Sequence, residues 1–277
     1  MTIDSRPRPA EATSTPLAES LRPATSSTSA GINRWFERHW LLALNAGWGI
    51  FVILPWFAPI FMALGLTWPG RAVYFIYNFF CHQLPERSWF LFGPQFSYTQ
   101  PQIAAAWGVP LQAISNELIR RQFIGTAELG WKVAWSDRMV SMYTSTFLFG
   151  LLWWPFRKRV KSLPWWGLIL FLIPMGVDGT THFLSDFAGL GQGFRYSNLW
   201  LAAITNHALP ASFCAGDALG SFNSWMRLLT GILFGMGVVW FGFPYLDDFF
   251  SEQAGLVESK RHPKDIRDFP IHHLPDL

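Results

Sequence analysis

Four stretches of this chain carry no charge, or almost none, over a length that matches the hydrocarbon core of a bilayer. Leu41 to Leu66 gives 26 uncharged residues, Met139 to Phe156 gives 18, and Leu228 to Leu246 gives 19. Leu163 to Leu184 gives 22, interrupted late by Asp178 and His182. About 20 apolar residues span a membrane as a helix, so these runs exclude an ordinary soluble domain. Composition agrees: 14% of residues are charged, against about 25% in soluble domains. The 16 Trp and 26 Phe suit interfacial aromatic belts. The expected fold class is an all-α polytopic membrane protein with about four transmembrane helices. Pro55 and Pro59 are expected to kink the first.

A fifth run, 72–93, is too short before Cys81 to span and then meets Pro85, Glu86 and Arg87. It reads as a re-entrant or interfacial helix. Charge supports that count. Basic residues crowd the N-terminal arm (Arg6, Arg8, Arg22, Arg34, Arg38), the connector Arg157, Lys158, Arg159 and Lys161, and the tail from Lys260 to Arg267. Beside apolar runs such clusters signal topology rather than nucleic acid. Four spans place all three on the cytoplasmic side, with both termini inside and the plasma membrane as the location. A fifth span would put the connector and tail outside.

Three regions follow. Residues 1–31, rich in Ser, Thr, Pro and Ala, read as a disordered arm without a cleavable signal. Residues 32–250 form the membrane domain, and 251–277 a cytoplasmic tail. Two external segments result, about 67–138 and 185–225. Within the first, Pro110 to Gly125 reads as an amphipathic helix with Leu111, Ile114 and Leu118 on one face.

Ionisable groups at membrane depth are costly and mark candidate sites. Asp178, His182 and Asp186 recur every four residues, so they form one helical stripe. Topology puts that stripe on the same side as Cys81 and His82. Thiolate, imidazole and carboxylate are the usual ligands of a transition metal such as zinc. Cys81, His82, Asp178 and His182 are therefore the candidate metal set. Arg87, Asp137, Arg138, Tyr143 and Arg227 are candidate ligand-binding residues around it. The competing structural readings are an Asp–His bond capping a buried helix end, reaching Arg195 or Arg227, and a snorkelling Arg138. Two cysteines make no disulfide framework, and a Cys81–Cys214 bridge stays open. His207 sits in the second external segment, and His272 and His273 fall in a polar tail.

Cys81-His82-Gln83-Leu84-Pro85-Glu86-Arg87-Ser88, followed by Phe90 to Gly93, resembles the signature of the prokaryotic membrane-protein family known as domain of unknown function 2085. The resemblance continues through Gly130 to Arg138 and Tyr143, Pro174 to Thr181, Asn223, Arg227 to Gly231, and Phe243 to Leu246. It covers about 71–247. Relatives typically carry a cysteine two residues before the arginine matching Arg138, where this chain has Ser136. If the two family cysteines form a metal or disulfide site with the adjacent His, the resemblance implies that this chain has lost one member, leaving three alternatives: substitution by Cys214, a vestigial site or an altered one. The segment Gly189–Asp217 is longer than the family pattern. The family brings an integral membrane protein and no established reaction.

Three functional readings follow. The first, carried forward, is a membrane protein with an extracytoplasmic-facing polar site for a metal or small ligand. The others are a non-catalytic scaffold or assembly subunit, and a membrane-embedded hydrolase using metal-bound water. The lipid bilayer is the expected partner. Enzymatic activity and a homo-oligomeric state are left open.

Overall fold

A computed structural model describes residues 27–189 and 191–261. Four long helices cross the molecule: α1 (Ser27–Ala63), α5 (Asp137–Phe156), α6 (Trp165–Asp186) and α10 (Phe222–Arg261). Between α1 and α5 lie α2 (Thr67–Tyr77), β1 (Ser88–Leu91), α3 (Gln100–Trp107), α4 (Glu117–Arg120), β2 (Gly125–Thr126) and β3 (Gly130–Ser136). Between α6 and α10 lie α7 (Phe194–Ser197), α8 (Leu199–Ile204) and α9 (Ala211–Cys214).

Stretches within α1, α6 and α10 (Trp35–Ala63, Trp165–Asp186 and Phe222–Gln253) are long and apolar enough to cross a membrane. With 20 residues α5 has the length, about 30 Å at the helical rise, but carries four Ser or Thr residues from Ser141 to Thr146. Three of those hydroxyls return to the helix: Ser141 Oγ donates to Arg138 O at 2.9 Å, and Ser145 Oγ and Thr146 Oγ1 donate to Met142 O at 3.0 and 2.8 Å. The polytopic helical class therefore stands, with three helices apolar enough to span and a more polar fourth. In α1, the break from helical backbone angles falls at His39, where the apolar run begins, rather than at Pro55 or Pro59.

α10 is the central helix of the bundle and packs on α5, α6 and α1. Its contact with α5 is close because small residues face each other. A Cβ at Gly231 would lie 2.1 Å from Ser141 Oγ, and one at Gly235 would lie 2.1 Å from Ser145 Oγ. This is a Gly-xxx-Gly against Ser-xxx-Ser contact, a packing that lets membrane helix backbones approach. Ser141 Oγ and Ser145 Oγ also donate across it to Arg227 O and Gly231 O, both at 3.3 Å.

The segment 64–136 departs from the expected all-helical pattern. α2 ends at Tyr77, so no helix continues through 72–93. The chain instead turns at Gln83, whose φ is 53°, makes a single 3-10 turn over Pro85–Arg87 and enters β1. β1 and β2 both pair antiparallel with β3, in the order β1-β3-β2. Trp89, Phe90 and Leu91 are good strand formers, and Gly130 admits the close approach of Leu91 O that the pairing needs, 2.3 Å from where its Cβ would stand. The expected 110–125 helix is likewise broken. A 3-10 turn (Leu111–Ile114) is followed by α4, begun by Asn116 capping Leu118 N, and then by β2.

The sheet rests on α1 and α2 through Phe51, Tyr77, Trp135 and Tyr143, with Tyr77 Oη donating to Phe51 O at 2.7 Å. The second segment, 187–221, is tied to the start of α10 by two buried amides. Asn198 Nδ2 donates to Arg195 O and Cys214 O, and Asn223 Nδ2 to Arg195 O and Gly216 O. Both segments occupy one end of the bundle and touch: Arg87 pairs with Asp186 and Asp217, and Leu219 N donates to Ser97 Oγ. At the other end Trp240 Nε1 donates to Lys161 O, and Arg157 lies 3.9 Å from Asp247.

Most of the 1–31 arm lies outside the described residues, and α1 begins at Ser27. The tail is helical to Arg261, while His272 and His273 lie outside the described residues.

Candidate functional site

Where the cap meets the bundle, four arginines and four aspartates form two chains of ion pairs, joined into one network by Arg138 N donating to Asp137 Oδ1 at 2.8 Å. Asp137, the first residue of α5, accepts from Arg227 Nε with both oxygens, at 2.8 and 2.9 Å, and from Ser224 Oγ at 3.2 Å. Arg227 Nη1 reaches Asp217 Oδ1 at 2.8 Å. Asp217 Oδ2 in turn accepts from Arg87 Nε at 3.1 Å, and Arg87 Nη2 reaches Asp186 at 3.1 Å. Asp178 of α6 joins Arg138 of α5, at 2.6 Å, to Arg195 of α7. The network thus links every helix of the bundle except α1 to both cap segments.

Charges this buried persist because they are paired. Burial alone would raise the Asp217 carboxyl, but Arg87 and Arg227 hold it well below the usual carboxylate range. Burial would lower the Arg87 guanidinium, but Asp217 and Asp186 hold it above its ordinary value. At Arg195 burial prevails, and its guanidinium is lowered despite Asp178. A satellite pair joins it: Glu86, buried, lies 3.0 Å from Arg120 Nε, an ion pair angled too poorly for a hydrogen bond, and 3.4 Å from Gln100 Nε2.

Cys81 sits in the loop after α2, not at a helix tip. Its Sγ accepts from Gln83 N at 3.3 Å and Ser136 N at 3.4 Å, and lies 3.4 Å from Ser136 Oγ. Behind it, Lys132 is wholly buried and has no carboxylate partner among the described residues; its Nζ donates to Gln83 O at 2.6 Å and Arg121 O at 2.8 Å. Burial lowers this amine to about 7. A neutral amine has two N–H groups, which matches the two carbonyls it serves.

A cavity of about 240 Å³ lies against these groups, lined by Cys81, His82, Ser136, Arg87, Arg138 and Arg227 among others. Four of the candidate ligand-binding residues belong here: Arg87, Arg138 and Arg227 line it, and Asp137 pairs behind it. Tyr143 does not. Its ring lies 4.7 Å from that of Trp135 and packs with Trp48 and Phe51 in the apolar core. Arg138 does not snorkel; it turns inward to Asp178, because a buried carboxylate stands across the α5–α6 gap.

The four candidate metal ligands divide. Cys81 and exposed His82 line the cavity, whereas Asp178 and His182 are engaged by arginines: Asp178 by two, and His182 Nε2 lies 3.2 Å from Arg195 Nη2 and 3.8 Å from Asp178. Among the described residues no three His, Cys, Asp or Glu side chains converge so as to hold a metal ion. The stripe on α6 is therefore an arginine-binding face. Cys81 and Cys214 are both buried and free, which removes the bridge between them, and it is Ser136 rather than Cys214 that faces Cys81.

The region that carries most of this network has known counterparts. Residues 121–241 match the DUF2085 family. Its description is a predicted membrane protein, and the chain is accordingly an integral membrane protein of the helical class. The DUF2085 match begins after the Cys81–Ser88 element and includes Asp137, Arg138, Asp178, Arg195, Asp217 and Arg227. An uncharacterised protein of Methanocaldococcus jannaschii, MJ1492, is similar as well, 29% identical over 154 residues, which is 53% of this chain and 72% of that protein. No solved structure matches the chain.

Sequence reading missed Asp217, Lys132 and Glu86 as site residues, and named Arg195 only in the competing structural reading, as a partner of the α6 stripe, where the structure places it. Asp217 stands in the loop between α9 and α10 with no periodicity to mark it. Lys132 had a readable signal: a lone lysine inside the strand-like run Trp131 to Trp135.

Proposed function

We propose that this membrane protein has both termini in the cytoplasm of a plasma-membrane host and presents an extracytoplasmic cavity that binds a small anion. The observation that carries the reading is the convergence of Arg87, Arg138 and Arg227 on one cavity of about 240 Å³. Their aspartate partners do not line the cavity, and the buried Nε of Arg138 has no hydrogen-bond partner among the described residues. A planar guanidinium with spare N–H groups suits phosphate or carboxylate. His82 adds a further donor at the rim. The orientation is supported by the basic connector Arg157–Lys161, which lies at the end of the bundle opposite the cap.

Titration of inorganic phosphate into the detergent-purified chain, followed by calorimetry, tests this. Saturable binding that weakens in Arg138→Gln and in His82→Ala, and is partly kept in Arg138→Lys, is the expected result. His82 takes part in no ion pair named above, so its variant separates binding from folding. Phosphate that leaves both heat and melting temperature unchanged defeats the proposal. The scaffold reading then gains, favoured by the observation that each of the four network arginines already meets an aspartate.

A further inference from the structure

The apolar stretch of α1, Trp35–Ala63, is 29 residues, about 43 Å of helix against a hydrocarbon core of about 30 Å. Contacts along it give a scale of depth. Trp40 stands at the basic end, just after Arg34 and Arg38. Its Nε1 donates to Asp247 at 3.3 Å, the residue that also meets Arg157. Phe51 is eleven residues further on, about 16 Å up the helix and so close to mid-membrane.

α2 runs back down this scale. Near its start, Gly70 packs on the far end of α1: a Cβ there would lie 2.8 Å from Met62 Sδ and 3.4 Å from Ala58 O. At its end, Tyr77 Oη donates to Phe51 O at 2.7 Å, and the Phe80 ring meets the Phe51 ring edge-on at 5.3 Å. The chain therefore descends from the outer end of α1 toward its middle.

The buried residues of α2, Gly70, Val73, Tyr74 and Tyr77, form one face. The opposite face is apolar and uncovered: Phe75 and Ile76 are exposed, as are Trp68 at 81% and, just beyond the helix, Phe79 at 77%. Between Arg38 and Glu86 the only Asp, Glu, Lys or Arg is Arg71. Trp68 and Arg71 thus stand at the shallow end of the descent and the phenylalanines at the deep end. A bilayer sorts side chains in that order, with Trp and snorkelling cations at the headgroups and hydrocarbon below. Only Leu64, Gly65 and Leu66 separate α2 from α1, Gly65 making the turn at a φ of 76°, so the face continues the surface of a spanning helix with no polar segment between.

We infer that α2 is a re-entrant helix that dips into the bilayer leaflet on the cap side, where acyl chains cover Trp68, Phe75, Ile76 and Phe79. The partner of this face is lipid, and the Cys81–Ser88 loop starts from the inner end of the dip. The inference holds whichever leaflet the cap faces and does not depend on the anion reading.

Photo-crosslinking of the full chain in phosphatidylcholine vesicles tests it. The photoreactive residue p-benzoylphenylalanine is placed singly at Trp68, Phe75 or Phe79, with exposed Leu170 of the α6 span as the reference. After irradiation, mass spectrometry reads what each position touches. Phosphatidylcholine adducts at all three positions, in yields matching that at Leu170, are the expected result. Fragmentation of the adducts should place attachment near the glycerol at position 68 and further along the acyl chain at position 79. Attachment at one depth for both overturns the dip in favour of a helix lying flat on the surface. Adducts between two copies of the chain at positions 75 and 79 overturn it in favour of a protein interface, and no adduct at either position means water and overturns it too. Phe79→Lys gives a second reading. A charge in hydrocarbon is costly, so this variant should melt at a lower temperature in vesicles; an unchanged melting temperature overturns the inference.

Discussion

Arg227 Nε engages both carboxylate oxygens of Asp137, at 2.8 and 2.9 Å, with each residue almost fully buried. The pair joins the first turns of α5 and α10, and Arg227 extends it to Asp217 in the cap. One arginine thereby ties the cap to the packing of α5 against α10.

Removing one partner of such a pair strands the other. Arg227→Met leaves Asp137 without its cation and is expected to cost about 3–5 kcal/mol. Replacing both, as Asp137→Leu with Arg227→Met, should cost less than the two single changes added together. Unfolding in mixed micelles, read by tryptophan fluorescence across the four proteins, measures the coupling.

The α5–α10 contact depends on two absent side chains. Gly235→Val places a branched side chain where Ser145 Oγ and Thr146 N already stand, within 2.1 and 2.7 Å of the first added carbon. A loss of about 1–3 kcal/mol is expected, as for other overpacked contacts. Gly242→Ala on the same helix meets nothing within 4 Å and should be neutral or slightly stabilising. Melting temperatures of the two variants should therefore move apart; equal values would contradict the contact.

Lys132 sets a pH dependence. Its amine falls from 10.5 to about 7 on folding because burial disfavours the charged form. Between those values the unfolded chain binds the extra proton, so stability rises with pH across that window. Below about 7 both states are protonated and the penalty is full. The melting temperature should climb from neutral to alkaline pH, and Lys132→Met should flatten the climb. It should also lower overall stability, since Gln83 O and Arg121 O lose their donor.

Cys81 Sγ and Ser136 Oγ are 3.4 Å apart. Ser136→Cys is expected to form a disulfide with Cys81 under mild oxidation, and not with Cys214. Peptide mapping of the non-reduced protein identifies the bridge. Closing that long loop should add about 2–4 kcal/mol, seen as a melting temperature that falls on adding reductant.

The bundle was legible because each span is a local pattern: an uncharged run of sufficient length folds as a helix in a bilayer whatever its neighbours do. The α6 stripe was legible for the same reason, since four-residue spacing puts Asp178, His182 and Asp186 on one face. The cap was not. Its strands are short, their register is made by β3 pairing with segments on both sides in sequence, and Trp89 to Leu91 read equally well as the end of an interfacial helix.

The partners of the ionisable residues were the other thing hidden. Asp178 beside His182 suggested a metal in one dimension; in three dimensions Arg138 and Arg195 arrive from 40 and 17 residues away and occupy both oxygens. Spacing along one helix says which side chains share a face. It cannot say what faces them, because that depends on how other helices and loops close over the end. The sequence by itself determined a helical membrane protein with polar residues gathered toward one end. Tertiary structure alone decided that those residues pair as arginine with aspartate, leaving three guanidinium groups around a cavity, because long-range closure sets which charges meet once water is excluded.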